Sequence, residues 1–297
     1  MEASREKGAP ICVGLDPVLE KLPEEVRHGV DGKSAADAAQ ALYTFCSGVL
    51  SAVAPYVPCV KIQSACFERY LWPGVEVYHR LIDDARELGL LVVADAKRGD
   101  IGISAEHYAA GCLAEPTYED MGELAGPDAL TINGYLGADS IEPFLEVARK
   151  QGKGLFVLVR TSNPGGDALQ SLTLSDGRPV SDAVAQMVAT LGGGAADIGQ
   201  SGYSLLGAVV GATKPADAAR LRLIMPRSIF LVPGYGAQGG GVKDVLPCFN
   251  KDGTGALITA SRSVLFAFAK NTGTDWRSAV RQAALEMRDE VKAGIGW

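Results

Sequence analysis

Histidine is scarce in this chain, and two histidine-dependent chemistries start with little support. Only His28, His79 and His107 occur among 297 residues, and no two of them have the H-x-x-x-H spacing of a helical zinc site. No G-x-S-x-G segment marks a nucleophile elbow, and the six cysteines include no C-x-x-C pair. Histidine-centred hydrolysis and histidine- or cysteine-rich metal sites are therefore disfavoured.

Long apolar runs and a positive charge balance are also lacking. No run approaches the roughly 20 residues of a membrane span, and the first ten residues contain no apolar signal core, so no membrane or secretory segment is expected. The formal net charge is −7, which argues against a general nucleic-acid-binding surface. Cysteines within apolar runs are typical of buried free thiols in a reducing cytoplasm.

What the sequence does contain is a regular alternation of short apolar runs and helix-length segments. The runs are nearly continuous rather than alternating, which is typical of strands covered by helices on both faces of a sheet. One intervening helix is predicted to bury Val77, Leu81, Ala85 and Leu88, with Gly89 as its stop. Another is predicted near the C-terminus, with Trp276, Val280, Ala284, Met287 and Val291 on one face. The strand candidates span residues 11–16, 59–63, 90–96, 129–133, 154–160, 205–212, 229–234 and 256–261.

Eight strand–helix units in a chain of this length favour an α/β fold of the (β/α)₈ TIM-barrel type. A doubly wound sheet is the alternative, since alternation alone does not distinguish an open sheet from a closed one. We see no linker, so residues 1–297 are expected to form a single domain. Two stretches are long for connections between strand and helix, an N-terminal insertion at about 17–35 and a loop at about 162–179, and such loops are often functional.

Charged residues mark the ends of the first three predicted strands. Asp16 ends the first run, Lys61 interrupts the second, and Asp95, Lys97 and Asp100 follow the third. Each alone is compatible with a salt bridge at a strand end. Together they lie where barrel enzymes carry their catalytic groups, and alternating carboxylates and ammoniums are typical of a preorganised electrostatic site.

The glycine-rich segment after the seventh strand predicts an anion site. Gly234, Gly236 and Gly239 formally match the dinucleotide fingerprint G-x-G-x-x-G. That fingerprint should open a βαβ unit, whereas only one strand remains here. Loops after strands seven and eight commonly bind phosphate in barrels, and Gln238 and Arg262 would add donors to the backbone N–H groups.

These segments together resemble the orotidine 5′-monophosphate decarboxylase family. The resemblance spans about residues 11–268 and rests on D-A-K-R-G-D-I at 95–101 in addition to the early Asp16 and Lys61. Further matches are T-S-N-P-G at 161–165, P-G-Y-G-A-Q-G-G at 233–240 and S-R at 261–262. The stretch Q-S-A-C-F-E-R-Y after Lys61 is similar to the bacterial type 2 branch.

The resemblance implies a carboxy-lyase that converts orotidine 5′-monophosphate to uridine 5′-monophosphate and CO₂ without metal or other cofactor. Lys61, Asp95, Lys97 and Asp100 would form the catalytic tetrad, with Lys97 protonating the carbanion. A homodimer is implied, in which Asp100 and Ser104 reach the partner's site. Ser104 stands where the family usually has threonine and could instead cap its helix. The remaining implied contacts are Asp16 to ribose, Ser162 to the pyrimidine, and Gln238, Arg262, Gly236, Gly239 and Ser261 to the phosphate.

Two other functions remain open at this stage. One is a Mg²⁺-dependent sugar-phosphate lyase or decarboxylase on a related barrel, and the other is a catalytically silent nucleotide-binding barrel. Four retained buried charges argue against the silent barrel, because burying charge without a use is costly. The sequence assigns no role to Arg160, Tyr135, Asp139 or the N-terminal insertion.

Overall fold

The predicted strands form a closed barrel. The computed structural model describes residues 1–121, 124–237, 239–270 and 275–297. All neighbouring strands are parallel, and the last pairs with the first, which confirms the (β/α)₈ barrel and excludes the open sheet. The strands are β1 (Ile11–Leu15), β2 (Cys59–Gln63), β3 (Leu91–Arg98), β4 (Ala129–Ile132), β5 (Gly154–Arg160), β6 (Leu206–Val210), β7 (Phe230–Val232) and β8 (Ala256–Ala260).

Helices surround the barrel and connect its strands. They are α1 (Glu2–Glu6), α2 (Glu24–Arg27), α3 (Ala35–Val53), α4 (Ala65–Glu68), α5 (Leu71–Glu87), α6 (Gly102–Cys112), α7 (Glu142–Gln151), α8 (Asp167–Gln170), α9 (Val180–Leu191), α10 (Pro215–Ile224), α11 (Val242–Val245), α12 (Arg262–Leu265) and α13 (Trp276–Ile295). Capping side chains start two of the longest helices. Ser34 accepts the Asp37 N–H at α3, and Asp275 accepts the Ser278 N–H at α13.

The two predicted helix faces are confirmed except at one position. All five residues of the C-terminal stripe are buried on α13. On α5, Val77, Leu81 and Ala85 are buried, but Leu88 is 44% exposed, so its predicted burial is wrong. The helix ends at Glu87, so Leu88 lies beyond its last helical residue, and Gly89, with φ +74°, turns the chain immediately afterwards.

Apolar packing divides into an outer layer and the barrel interior. The outer layer lies between strands and helices and includes nearly all the large buried side chains. A smaller interior cluster consists of Val93, Ala129, Phe156, Val209 and Leu231. Because successive strand residues alternate between the two sides, the interior positions nearer the carboxyl ends are Lys61, Asp95 and Thr131, which are polar and almost fully buried. The barrel therefore has an apolar floor beneath a polar mouth.

Candidate active site

A cavity of about 630 Å³ opens at the carboxyl ends of the strands. It brings together residues that are far apart in sequence, because all eight strands or the loops that directly follow them contribute to its lining. Seven of the residues predicted from sequence line it: Asp16, Lys61, Asp95, Lys97, Ser162, Ser261 and Arg262. Its position is the one at which barrel enzymes assemble their active sites.

Asp95 is the centre of the charged cluster. Its Oδ2 atom accepts hydrogen bonds from Lys61 Nζ at 2.6 Å and Gln63 Nε2 at 3.1 Å. Its Oδ1 atom accepts from Lys97 Nζ at 2.5 Å and Thr131 Oγ1 at 2.9 Å. Asp95 and Lys61 are each only 5% exposed, so each carboxylate oxygen has one charged and one neutral donor in a largely dry environment.

The ionisation of the cluster follows from this pairing. Burial alone would raise the pKa of Asp95, but the Lys61 and Lys97 ammoniums outweigh burial and lower this pKa from 3.8 to about 2. Burial alone would lower the pKa of Lys61, but the carboxylates of Asp16 and Asp95 raise it above its usual value. Both groups are therefore charged at neutral pH, and the cluster presents fixed charges to the cavity.

The strand that carries Asp95 and Lys97 is distorted at this point. Ala94 pairs with Leu130 and Arg98 with Ile132, so β3 has three residues where β4 has only Thr131. Lys97 has φ +49°, a left-handed conformation that is rare for a non-glycine residue. Its N–H donates to Thr131 Oγ1 at 3.0 Å. The Asp-x-Lys spacing predicted two side chains on one side, but it contained no signal for this bulge.

Asp16 and Ser261 approach each other across β1 and β8. Asp16 lies 3.8 Å from Lys61 Nζ, and its buried Oδ2 atom has no hydrogen-bond partner among the described residues. Gly14 makes this approach possible, because a Cβ atom there would lie 2.0 Å from Ser261 Oγ and 2.8 Å from Asp16 Oδ2. An inward-facing glycine on β1 thus leaves space for two predicted substrate contacts.

The predicted phosphate end is only partly described. Gln238 lies outside the described residues. Arg262 begins α12 with an exposed side chain that forms no hydrogen bond or ion pair with another described residue. The Gly236 N–H donates to Gly240 O at 2.8 Å, and the Gly239 N–H donates to Gly236 O at 2.9 Å, so both are engaged inside the loop. Anion binding by these two N–H groups would require the loop to rearrange.

The loop after β5 is anchored from behind the cavity. Ser162 lines the cavity, and Gly211 lies directly against it, since a Cβ atom there would be 2.9 Å from the Ser162 backbone. Arg160, whose role the sequence left open, is directed towards the loop and α10. Its guanidinium donates to Asp217 at 2.7 Å and to Asp167 at 2.5 Å. Arg160 therefore ties the loop to the barrel wall.

Asp100 and Ser104 do not line the cavity of their own chain. Asp100 accepts the Ile101 N–H at 2.8 Å, and Ser104 is exposed on α6. Exposed apolar side chains lie on the same α6 segment and on two neighbouring ones, and we call these residues the apolar rim. They are Leu71, Trp72, Ile101, Ile103, Tyr108, Tyr135 and Leu136.

The fold and the site define an enzyme of the (β/α)₈-barrel class with a lysine–carboxylate centre at the carboxyl end of the barrel. Comparisons with known proteins identify the family. The model of the orotidine 5′-phosphate decarboxylase / HUMPS family matches residues 9–273, and the chain belongs to this family.

Individual relatives resemble the chain over nearly its whole length. The orotidine 5′-phosphate decarboxylase of Rhodopirellula baltica is 43% identical over 293 residues, covering 96% of this chain and 95% of the relative. That of Deinococcus radiodurans is 41% identical over 295 residues, covering 99% and 96%. A crystal structure from Streptomyces avermitilis is similar with a TM-score of 0.79 at 35% identity, covering 100% of this chain and 94% of the other.

Proposed function

We propose that this enzyme decarboxylates orotidine 5′-monophosphate to uridine 5′-monophosphate and CO₂, the last step of de novo uridylate synthesis. The observation that carries the proposal is the ionised Asp95 carboxylate between the Lys61 and Lys97 ammoniums, in a cavity that Arg262 also lines. Loss of CO₂ from C6 leaves a carbanion that the pyrimidine π system does not delocalise, so fixed charge must stabilise it.

In this proposal the two sides of the cluster have different tasks. Asp95 lies near the substrate carboxylate, and two like charges about 4 Å apart repel by about 4 kcal/mol at an effective dielectric constant near 20. That repulsion disappears when neutral CO₂ departs. Lys97 stabilises the growing negative charge at C6 and donates the proton that completes the product. Lys61 and Asp100 hold Asp95 and Lys97 and balance their charge.

The rest of the cavity binds the nucleotide. Ser162 hydrogen-bonds the pyrimidine, while Asp16 and Ser104 contact the ribose. Arg262 binds the phosphate together with Gln238, Ser261 and the backbone at Gly236 and Gly239. Support comes from the Asp16 Oδ2 atom and the Arg262 guanidinium, since neither has a hydrogen-bond partner within the part of the chain that the structure describes and both have bonding capacity left for a ligand. Binding energy from the phosphate, remote from C6, is then available to close the loop at about 162–179.

We also propose that the enzyme is a homodimer in which each subunit supplies Asp100 and Ser104 to the other. The apolar rim supports a dimer, because its residues Trp72 and Ile103 are 79% and 69% exposed, and large clustered apolar side chains are typical of interfaces.

Mixing inactive K97A and D100A subunits tests whether each active site contains residues of both subunits. Random re-pairing should restore roughly a quarter of the sites, because one site of each mixed dimer is complete. No recovery on mixing would contradict shared sites.

For its location and organisation we propose a cytoplasmic enzyme built as one barrel domain over residues 1–297. All six cysteines are free, and four of them are buried, which suits a reducing compartment. Among the described helices, none combines the length and apolar character required to traverse a bilayer.

The direct test of the function is a spectrophotometric assay with orotidine 5′-monophosphate. Turnover to uridine 5′-monophosphate that persists in excess EDTA is expected. Turnover abolished by EDTA and restored by Mg²⁺ would favour the metal-dependent lyase instead. Tight nucleotide binding without turnover would favour the silent barrel.

A further inference from the structure

The cluster contains a neutral side chain that none of the functions above uses. Thr131 lies on β4, is 1% exposed and also lines the cavity. Its hydroxyl has one proton and two acceptor lone pairs. The hydroxyl donates a hydrogen bond to Asp95 Oδ1 at 2.9 Å, while Ala94 O lies further away at 3.5 Å. The same oxygen accepts the Lys97 N–H at 3.0 Å.

Thr131 therefore bonds both members of the Asp95–Lys97 pair through one atom. It holds the carboxylate of Asp95 and the backbone of Lys97, and it does so from a neighbouring strand that is regular at this point. The position matters because Lys97 has φ +49° inside a bulge, where the regular pairing of β3 with β4 is interrupted. An L-residue in this conformation is disfavoured, and surrounding contacts must maintain it.

We propose that Thr131 is a positioning residue for proton donation by Lys97. The inference rests on the proposed decarboxylation. When Lys97 gives up its proton, the ionic attraction between Lys97 and Asp95 is lost, and an ion pair alone would let both side chains reorient. The Thr131 bonds do not depend on the charge of Lys97. They keep Asp95 in place and the Lys97 side chain directed at C6 through the proton transfer and the reprotonation that follows.

Gln63 is a natural comparison because it also donates to Asp95. Its amide reaches Oδ2 at 3.1 Å from the position of β2 that pairs with Asp95. It makes no hydrogen bond to Lys97 among the described residues. Gln63→Leu therefore removes only a donor to Asp95. Thr131→Val removes a donor to Asp95 and also the acceptor for the Lys97 backbone N–H.

The test compares Thr131→Val, which keeps the shape and removes the hydroxyl, with Thr131→Ser, which keeps the hydroxyl. For Thr131→Val we expect kcat per folded active site to fall about 10- to 100-fold, the scale of a misplaced catalytic group. The dissociation constant for uridine 5′-monophosphate should change less than about threefold, since a tenfold change would need a lost interaction of about 1.4 kcal/mol. Thr131→Ser should recover most of kcat, and Gln63→Leu should lose less than Thr131→Val.

Three results would overturn the inference while leaving the proposed function intact. They are wild-type kcat in Thr131→Val, equal losses in Thr131→Val and Thr131→Ser, or a loss confined to nucleotide binding. If Thr131→Val does not fold, Thr131→Ala against Thr131→Ser gives the same contrast. Failure of the wild-type enzyme to turn over orotidine 5′-monophosphate would instead refute the proposed function.

Discussion

Replacing Asp95 by asparagine should destabilise the folded enzyme as well as inactivate it. The pKa of Asp95 is lowered from 3.8 to about 2, and at about 1.4 kcal/mol per pKa unit its ionisation contributes about 2 kcal/mol to folding. Because the folded pKa is the lower one, this contribution is complete above pH 3.8 and is lost as the pH falls towards 2. At pH 7 the asparagine variant lacks all of it.

Most of the cost comes from the partner that remains. Among the described residues Lys61, which is 5% exposed, would keep Asp16, at 3.8 Å, as its acidic neighbour. Breaking a buried pair by removing one partner costs about 3–5 kcal/mol, and this figure already includes the lost pairing energy of Asp95. We therefore expect Asp95→Asn to lower the free energy of unfolding by about 3–5 kcal/mol at pH 7, measured by urea denaturation followed by tryptophan fluorescence.

Two further variants test whether the lost stability comes from the Lys61 charge that Asp95→Asn leaves without its partner. Adding Lys61→Met to Asp95→Asn removes the stranded charge and should recover most of the lost stability, since apolar replacement of a buried pair is often neutral. Asp289→Asn is the matched control, because Asp289 pairs with Arg288 on the surface with its side chain 63% exposed. An Asp95→Asn protein as stable as Asp289→Asn, or a double variant weaker than the single one, would contradict the account.

Two other predictions concern the ends of the cavity. Arg262→Ala should weaken binding of uridine 5′-monophosphate about 10- to 100-fold, the scale of a charged hydrogen bond, and leave uridine binding unchanged in calorimetric titrations; equal losses for both ligands would remove the phosphate role. Gly211→Ala should displace Ser162, because the new Cβ atom would be 2.9 Å from its backbone, and should cost about 1–3 kcal/mol of stability through overpacking. Unchanged thermal unfolding and unchanged kcat/KM would show that Gly211 does not constrain Ser162.

Much of the fold could be predicted from the sequence because the strands are buried on both faces. Continuous apolar runs marked all eight strands, and each predicted first residue coincides with the observed start or lies one position from it. The charged ends of β1, β2 and β3 pointed to one mouth because parallel strands place their carboxyl ends together. These are local signals, which can be recognised in the sequence without knowledge of tertiary contacts.

The finer geometry could not be predicted because it depends on contacts between strands. The left-handed Lys97 arises from unequal strand lengths between β3 and β4, which no local pattern reveals. Thr131 looks like an ordinary strand residue, and its hydrogen bonds with Asp95 and Lys97 form only when β4 pairs with β3. Arg160 follows an apolar strand as a site residue would, yet the acidic residues of the following loop and α10 direct it away from the cavity.

In the proposed reaction, Lys97 delivers the proton that replaces CO₂ at C6. The most direct measurement is the steady-state rate of Lys97→Ala with orotidine 5′-monophosphate, normalised to folded active sites by uridine 5′-monophosphate titration. We expect a folded Lys97→Ala protein that still binds the nucleotide and has lost nearly all turnover. A folded Lys97→Ala enzyme with turnover close to that of the wild type would contradict it.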